Sequence, residues 1–100
     1  MNLRKATNTV GVSILIPTPL RAYAGGSKEV AVEAGSVDDA LSGLVGRYPD
    51  LRKHLYAETG GLRGFVCVYL NDENVRDLDG PGTRVRDGDT LTILPTLAGG

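Results

Sequence analysis

One hundred residues suffice for a single ordinary domain and leave no room for a second. Hydrophobic residues make up 41%, too many for a disordered chain, and 11 basic against 12 acidic residues (formal charge -1) give no basic excess of the kind a nucleic-acid binder carries. The nearly apolar runs at 10–17 and 65–70 are strand-sized and far short of a membrane span, so neither nucleic acid nor membrane is expected as a partner.

Residues 1–9 are polar and irregular and read as a flexible lead-in to a domain at 10–95. Arg4 and Lys5 are followed by no apolar core or cleavage site, so no secretory signal is readable there. From Val10 the chain alternates, with Val10, Val12, Ile14 and Ile16 on one side and Gly11, Ser13 and Leu15 on the other, which predicts a half-buried strand. Pro17 and Pro19 end it, since each removes a ladder donor. Residues 20–26 read as a loop in which Gly25-Gly26 supplies turn geometry, and 28–33 resumes alternation as a hairpin partner.

Ser36 is a good N-cap for a helix, with Asp38 and Asp39 set against the free N–H groups of the first turn. Val37, Ala40, Leu41, Leu44, Val45 and Tyr48 then form one stripe of 3.6-residue period, and Pro49 stops it. A short helical turn at 50–56 places Leu51 and Leu55 on one face. Residues 65–70 are strongly β-forming: Phe65, Cys67 and Tyr69 point one way, Val66, Val68 and Leu70 the other. Residues 71–74 make a tight reversal, Val75 and Arg76 a short return strand, Asp87-Gly88-Asp89 another turn, and 90–94 a final strand. Packing the single helical stripe across one face of this small sheet gives an α+β roll of the β-grasp kind.

No side-chain set in this order reads as a self-sufficient active site. His54 reads as a surface histidine on the second helical turn, and Cys67 as a small buried hydrophobe inside a strand. One cysteine cannot make an intramolecular disulfide, which fits a reducing, cytoplasmic setting. The Asp residues at 87 and 89 suit a turn because their side chains bond nearby backbone; no calcium-loop spacing and no GxxxxGK[ST] or GxGxxG phosphate loop occurs. What remains is the segment after the final strand, Pro95 through Leu97, Ala98, Gly99 and Gly100. Residues 96–100 read as a flexible tail able to thread a narrow tunnel, with Leu97 as its apolar anchor. The α-carboxylate of Gly100, unhindered by a Cβ, would be its reactive group once activated.

Residues 87–100, DGDTLTILPTLAGG, resemble the end of the ubiquitin-like sulfur carriers of the ThiS/MoaD family. Residues 65–73, FVCVYLNDE, look like that family's strand followed by an Asn-containing turn. Near the start, IPTPLR at 16–21 and Gly25-Gly26 are similar to the CysO branch, which carries sulfur for cysteine synthesis. The resemblance implies a ubiquitin-like β-grasp fold and a co-substrate protein rather than an enzyme. An ATP-dependent activating enzyme would adenylate Gly100, and sulfur would convert it to a thiocarboxylate. The implied acceptor is a PLP-dependent cysteine synthase, with a metalloprotease releasing the carrier from the adduct; ATP and PLP belong to those partners and no cofactor to this chain. The alternatives are a small subunit of molybdopterin synthase, acting on a large subunit, and a ubiquitin-like binding or conjugation module. For docking, the resemblance points to the sheet face leading into the tail, with Leu70, Leu94, Leu97, Arg84 and Arg86 as candidates.

Overall fold

The computed structural model describes residues 10–63 and 66–95. The lead-in at 1–9, Gly64, Phe65 and the tail at 96–100 lie outside the described residues. Five strands, β1 (Val10–Leu15), β2 (Glu29–Ala34), β3 (Val66–Leu70), β4 (Glu73–Asn74) and β5 (Thr90–Pro95), form one sheet in the order β2-β1-β5-β3-β4. β1 and β5 run parallel at its centre and every other pair is antiparallel. A helix, α1 (Val37–Arg47), crosses one face, and a shorter one, α2 (Arg52–Leu55), follows a 3-10 turn at Pro49–Leu51. This is the ubiquitin-like β-grasp roll.

The periodicities explain the layers. Val12 and Ile14 of β1, Val30 and Val32 of β2, Val66 and Val68 of β3 and Leu91 and Ile93 of β5 are all buried beneath the helix. Their sequence neighbours on each strand face the other way. From above, Val37, Ala40, Leu41, Leu44 and Val45 complete the core. Each large aliphatic side chain so removed from water contributes about 1.5–3 kcal/mol. α1 begins where expected: Ser36 Oγ accepts from the Asp39 N–H at 3.1 Å, while the Asp39 carboxylate reaches back to the Gly35 N–H at 2.9 Å.

Three elements differ from the sequence expectation. Residues 18–24 form a 3-10 helix rather than a loop, because Leu20 and Ala24 both find places in the core. Gly25, in the left-handed region at φ 66°, closes that helix, and the Tyr48 ring packs beside it, 3.4 Å from where a Cβ would stand. The return strand is Glu73–Asn74, not Val75-Arg76; Val75 is drawn into the core and continues as a 3-10 turn over Val75–Asp77. Finally, β5 includes Pro95 as its last residue, opposite Val66, rather than stopping before it.

Candidate functional site: the root of the C-terminal tail

β5 is the strand that leads to residues 96–100, and the sheet grips it on both edges. The turn before it is clipped to the start of β1: the Gly11 N–H donates to Asp87 Oδ1 at 2.9 Å, and Gly88 N–H donates to the Gly11 carbonyl at 2.9 Å. Asp89 Oδ2 accepts from the Arg86 N–H at 2.8 Å, closing the turn on itself. Gly88 sits at φ 88°, outside what a residue with a Cβ readily adopts. At Gly11 the constraint is space instead: a Cβ there would stand 3.2 Å from Asp87 Oδ1, so the carboxylate would have to yield by a few tenths of an ångström. These contacts give the Asp-Gly-Asp motif its role as a turn that sets β5 in the central slot.

The other flank is held by Asn71. Its backbone adopts φ 55°, the one positive φ outside glycine among the described residues. In that conformation Asn71 N–H donates to the Thr90 carbonyl at 2.7 Å, its Oδ1 accepts from the Thr90 N–H at 3.1 Å, and its Nδ2 donates to Asp89 Oδ1 at 3.2 Å. The turn after β3 and the turn before β5 are therefore one hydrogen-bonded unit.

On the face away from α1, the register sets Cys67 beside Leu94, and Thr92 between Tyr69 and Leu15. Leu94 is 43% and Leu15 37% exposed, so this face carries two large apolar side chains in water close to where β5 ends. Cys67 is half-buried on this open face rather than in the core, because the strand's parity turns Val66 and Val68 inward. Leu70 does not join Leu94: it lies on the helix side, paired with Leu91 and packed against the core.

Arg84 and Arg86 do not flank the tail either. Arg84 bridges Ser36 at the start of α1, and Arg86 lies in the turn before Thr90. Both sit at the far end of β5, about 20 Å from Pro95 at roughly 3.3 Å per residue. The side chains at the tail root come from other segments. Leu15 lies opposite Thr92, so residues 16–29 emerge at this end, where Arg21 Nε donates to the Ile16 carbonyl at 3.0 Å. Val66 lies opposite Pro95, and its N–H donates to the Arg63 carbonyl at 3.0 Å, while Arg63 Nε donates to the Lys53 carbonyl at 2.9 Å. Lys53 and Arg63 belong to no motif in the sequence and Arg21 only closes the IPTPLR stretch; the strand pairing is what locates all three at the tail root. Gly100, Gly99, Ala98 and Leu97 lie outside the described residues.

His54 is not a simple surface residue. Its ring stacks on Tyr23 with centroids 4.1 Å apart, and Nε2 is buried without a hydrogen-bond partner among the described residues. Tyr56 is half-buried beside a cavity of about 480 Å³ formed by α1, β3 and residues 60–62. Burial pushes its phenol above the usual value, the Asp38 carboxylate pushes the same way, and Arg52 opposes them. Among the described residues no three metal-ligating side chains converge, and no helix is long and apolar enough to cross a membrane.

The chain resembles known proteins over nearly its whole length. It is 39% identical over 93 residues to the sulfur carrier protein CysO of Mycobacterium tuberculosis, covering 91% of this chain and 100% of that protein. The CysO structure in the Amycolatopsis orientalis BexX/CysO complex superposes with a TM-score of 0.80 at 42% identity, covering 89% of this chain and 99% of that one. The small archaeal modifier protein 1 of Methanosarcina acetivorans superposes with a TM-score of 0.82 at 29% identity, covering 94% of this chain and 100% of that one. The model of the ThiS family matches residues 14–100. The chain belongs to the ThiS family.

Proposed function

We propose that this protein carries sulfur on the α-carboxyl of Gly100, in the service of cysteine biosynthesis. Two facts coincide in support: the central strand β5 leads directly into the diglycine segment, and the family match runs through to Gly100. The similarity to sulfur carrier protein CysO, complete over that protein's length, favours the cysteine branch.

The chemistry divides between carrier and partners. An activating enzyme lets the Gly100 carboxylate attack the α-phosphorus of ATP, releasing pyrophosphate and leaving an acyl-adenylate. A sulfur nucleophile then attacks the carbonyl carbon and AMP departs, which leaves the thiocarboxylate. Glycine presents that carbon without steric shielding, and Leu97, Ala98 and Gly99 thread the partner's tunnel. The carrier itself supplies no acid, base or cofactor. Its contribution is to hold β5 rigid on both edges and to offer Leu94 and Leu15 as the apolar patch beside the tail. The thiocarboxylate sulfur next passes to an acceptor, for which a PLP-dependent cysteine synthase is our assignment, with a metalloprotease cleaving the adduct. The lone Cys67 fits a cytoplasmic setting.

Intact mass spectrometry after incubation with ATP, sulfide and an activating enzyme tests this. Wild type gains the mass difference of one oxygen replaced by sulfur, and a Gly100 deletion does not. Wild type left unchanged by an enzyme shown active on another carrier would overturn the proposal. The likeness to a small archaeal modifier protein supports a second reading, in which the same activated Gly100 is joined to lysines. Isopeptide-linked adducts in the same reactions would identify it.

A further inference from the structure

The ionisable side chains are sorted along the strand axis. Two connections emerge at the tail end of the sheet, residues 16–29 and 47–63, as the pairings of Leu15 with Thr92 and Val66 with Pro95 require. The packing of Tyr48 on Gly25 brings the end of α1 to the same place. These two segments hold six basic residues, Arg21, Lys28, Arg47, Arg52, Lys53 and Arg63, against three acidic ones. The opposite end comprises residues 33–39, where β2 runs into α1, and 71–89, which precede β5. There nine acidic residues face only three basic ones, Arg76, Arg84 and Arg86. Within the chain of formal charge -1, the described residues divide into a tail end of net +3 and a far end of net -6, and the remaining two charges, Arg4 and Lys5, belong to the lead-in outside the described residues.

We infer that this asymmetry presents the carrier tail-first to an acidic surface: the tail entrance of the activating enzyme is rimmed with carboxylates that the basic tail end meets. This rests on the proposed sulfur-carrier function. Charge of one sign concentrated around a docking surface acts mainly on the encounter rate, and like charge against like suppresses the wrong orientation. Here an acidic rim attracts the end that carries Gly100 and repels the end that does not. The two ends are about 20 Å apart by the length of β5, well beyond the ~8 Å Debye length at physiological salt. Near a partner each end therefore acts as its own local charge, not as one nearly neutral molecule. Lys28 and Lys53 are exposed, and it is through their backbone that they are tied into the fold, the carbonyls accepting from the Ile16 N–H and Arg63 Nε. Among the described residues neither ammonium group is paired, which leaves both to a partner protein.

The test compares full-length wild type, K28E/K53E and D77K/D79K as substrates for sulfuration by the activating enzyme. Steady-state rates are read at ionic strengths of about 0.01 M and about 1 M, where the Debye length falls from ~30 to ~3 Å. Thermal melts check that both variants fold. The expected result at low salt is a loss of about tenfold or more in kcat/KM for K28E/K53E, with kcat at saturation unchanged and the gap closing at high salt. D77K/D79K, altered at the far end, keeps at least half of wild-type kcat/KM or gains. Equal kcat/KM for K28E/K53E and wild type at low salt would overturn the inference, as would a loss that persists undiminished at high salt or an equal loss in D77K/D79K. Failure of wild type to be sulfurated at all is a different outcome: it removes the sulfur-carrier reading, and this inference with it.

Discussion

Asn71 is the residue whose replacement separates backbone strain from hydrogen bonding at the tail-bearing strand. Its side chain makes two bonds, to Thr90 N–H and to Asp89 Oδ1, both at an exposed turn. At the lower end of the usual range these contribute about 1–1.5 kcal/mol together. Its φ of 55° adds a second cost for any ordinary residue, about 1–2 kcal/mol, that Asn largely avoids. Asn71→Ala thus loses both and is destabilised by about 2–3.5 kcal/mol. Asn71→Gly loses the bonds but not the conformation, and its extra unfolded-state freedom adds only about 0.5 kcal/mol, for a total near 1.5–2 kcal/mol. Urea denaturation at constant m-value gives both numbers, and the alanine variant should melt some 4–8 °C below the glycine variant for each kcal/mol between them. The reasoning fails if Asn71→Ala is no less stable than Asn71→Gly, or if either variant costs less than about 0.5 kcal/mol.

Two further replacements probe the groups beneath the surface. The Tyr56 phenol titrates above its usual value because of burial first and Asp38 second, so the folded state holds that proton more tightly than the unfolded state. Its stabilising contribution is complete below the ordinary tyrosine value of about 10 and is lost as pH rises through the folded-state value. Tyr56→Phe should consequently lose less stability than wild type between about pH 9 and pH 11, and parallel urea titrations of the two proteins check it. His54→Phe keeps the stack on Tyr23 and removes the buried, unpartnered Nε2, so a stabilisation of about 1 kcal/mol is expected in the same assay.

The elements with strong periodicity were legible in the sequence. Val12 and Ile14, the α1 stripe from Val37 to Val45, and Val66 with Val68 all reach the core on the side their spacing implies. The Asp-Gly-Asp turn was legible too, since Asp87 and Asp89 bond backbone as their residue type suggests. Tertiary packing overrode local signals elsewhere. Pro17 and Pro19 marked the end of a strand, but nothing local showed that Leu20 and Ala24 would be buried one helical turn apart. Val75 has strong β propensity, yet the core claimed it and left Glu73 and Asn74 to pair. His54 meets Tyr23 from a segment thirty-one positions away, a contact no window of sequence contains. The docking candidates show the same effect at the site. Arg84 and Arg86 are near the tail in sequence, but the length of a strand removes them from it, while Arg21 and Arg63 are brought in by pairing.

The central placement of β5 also makes this domain a measuring rod. A strand hydrogen-bonded to β1 on one edge and β3 on the other cannot be drawn out to lengthen the tail without breaking the sheet. Five residues follow Pro95, and a fully extended chain spans at most about 3.3–3.6 Å per residue, so Gly100 can stand no farther than about 18 Å from the end of the sheet. On the sulfur-carrier proposal, an enzyme that works on the Gly100 carboxyl must keep its reacting centre within that radius of the surface on which the carrier body comes to rest. Centres set deeper than this are out of range, however well the rest of the partner binds. An inserted pair of residues between Pro95 and Gly100 would shift that radius outward by about 7 Å and leave the folded body as it is.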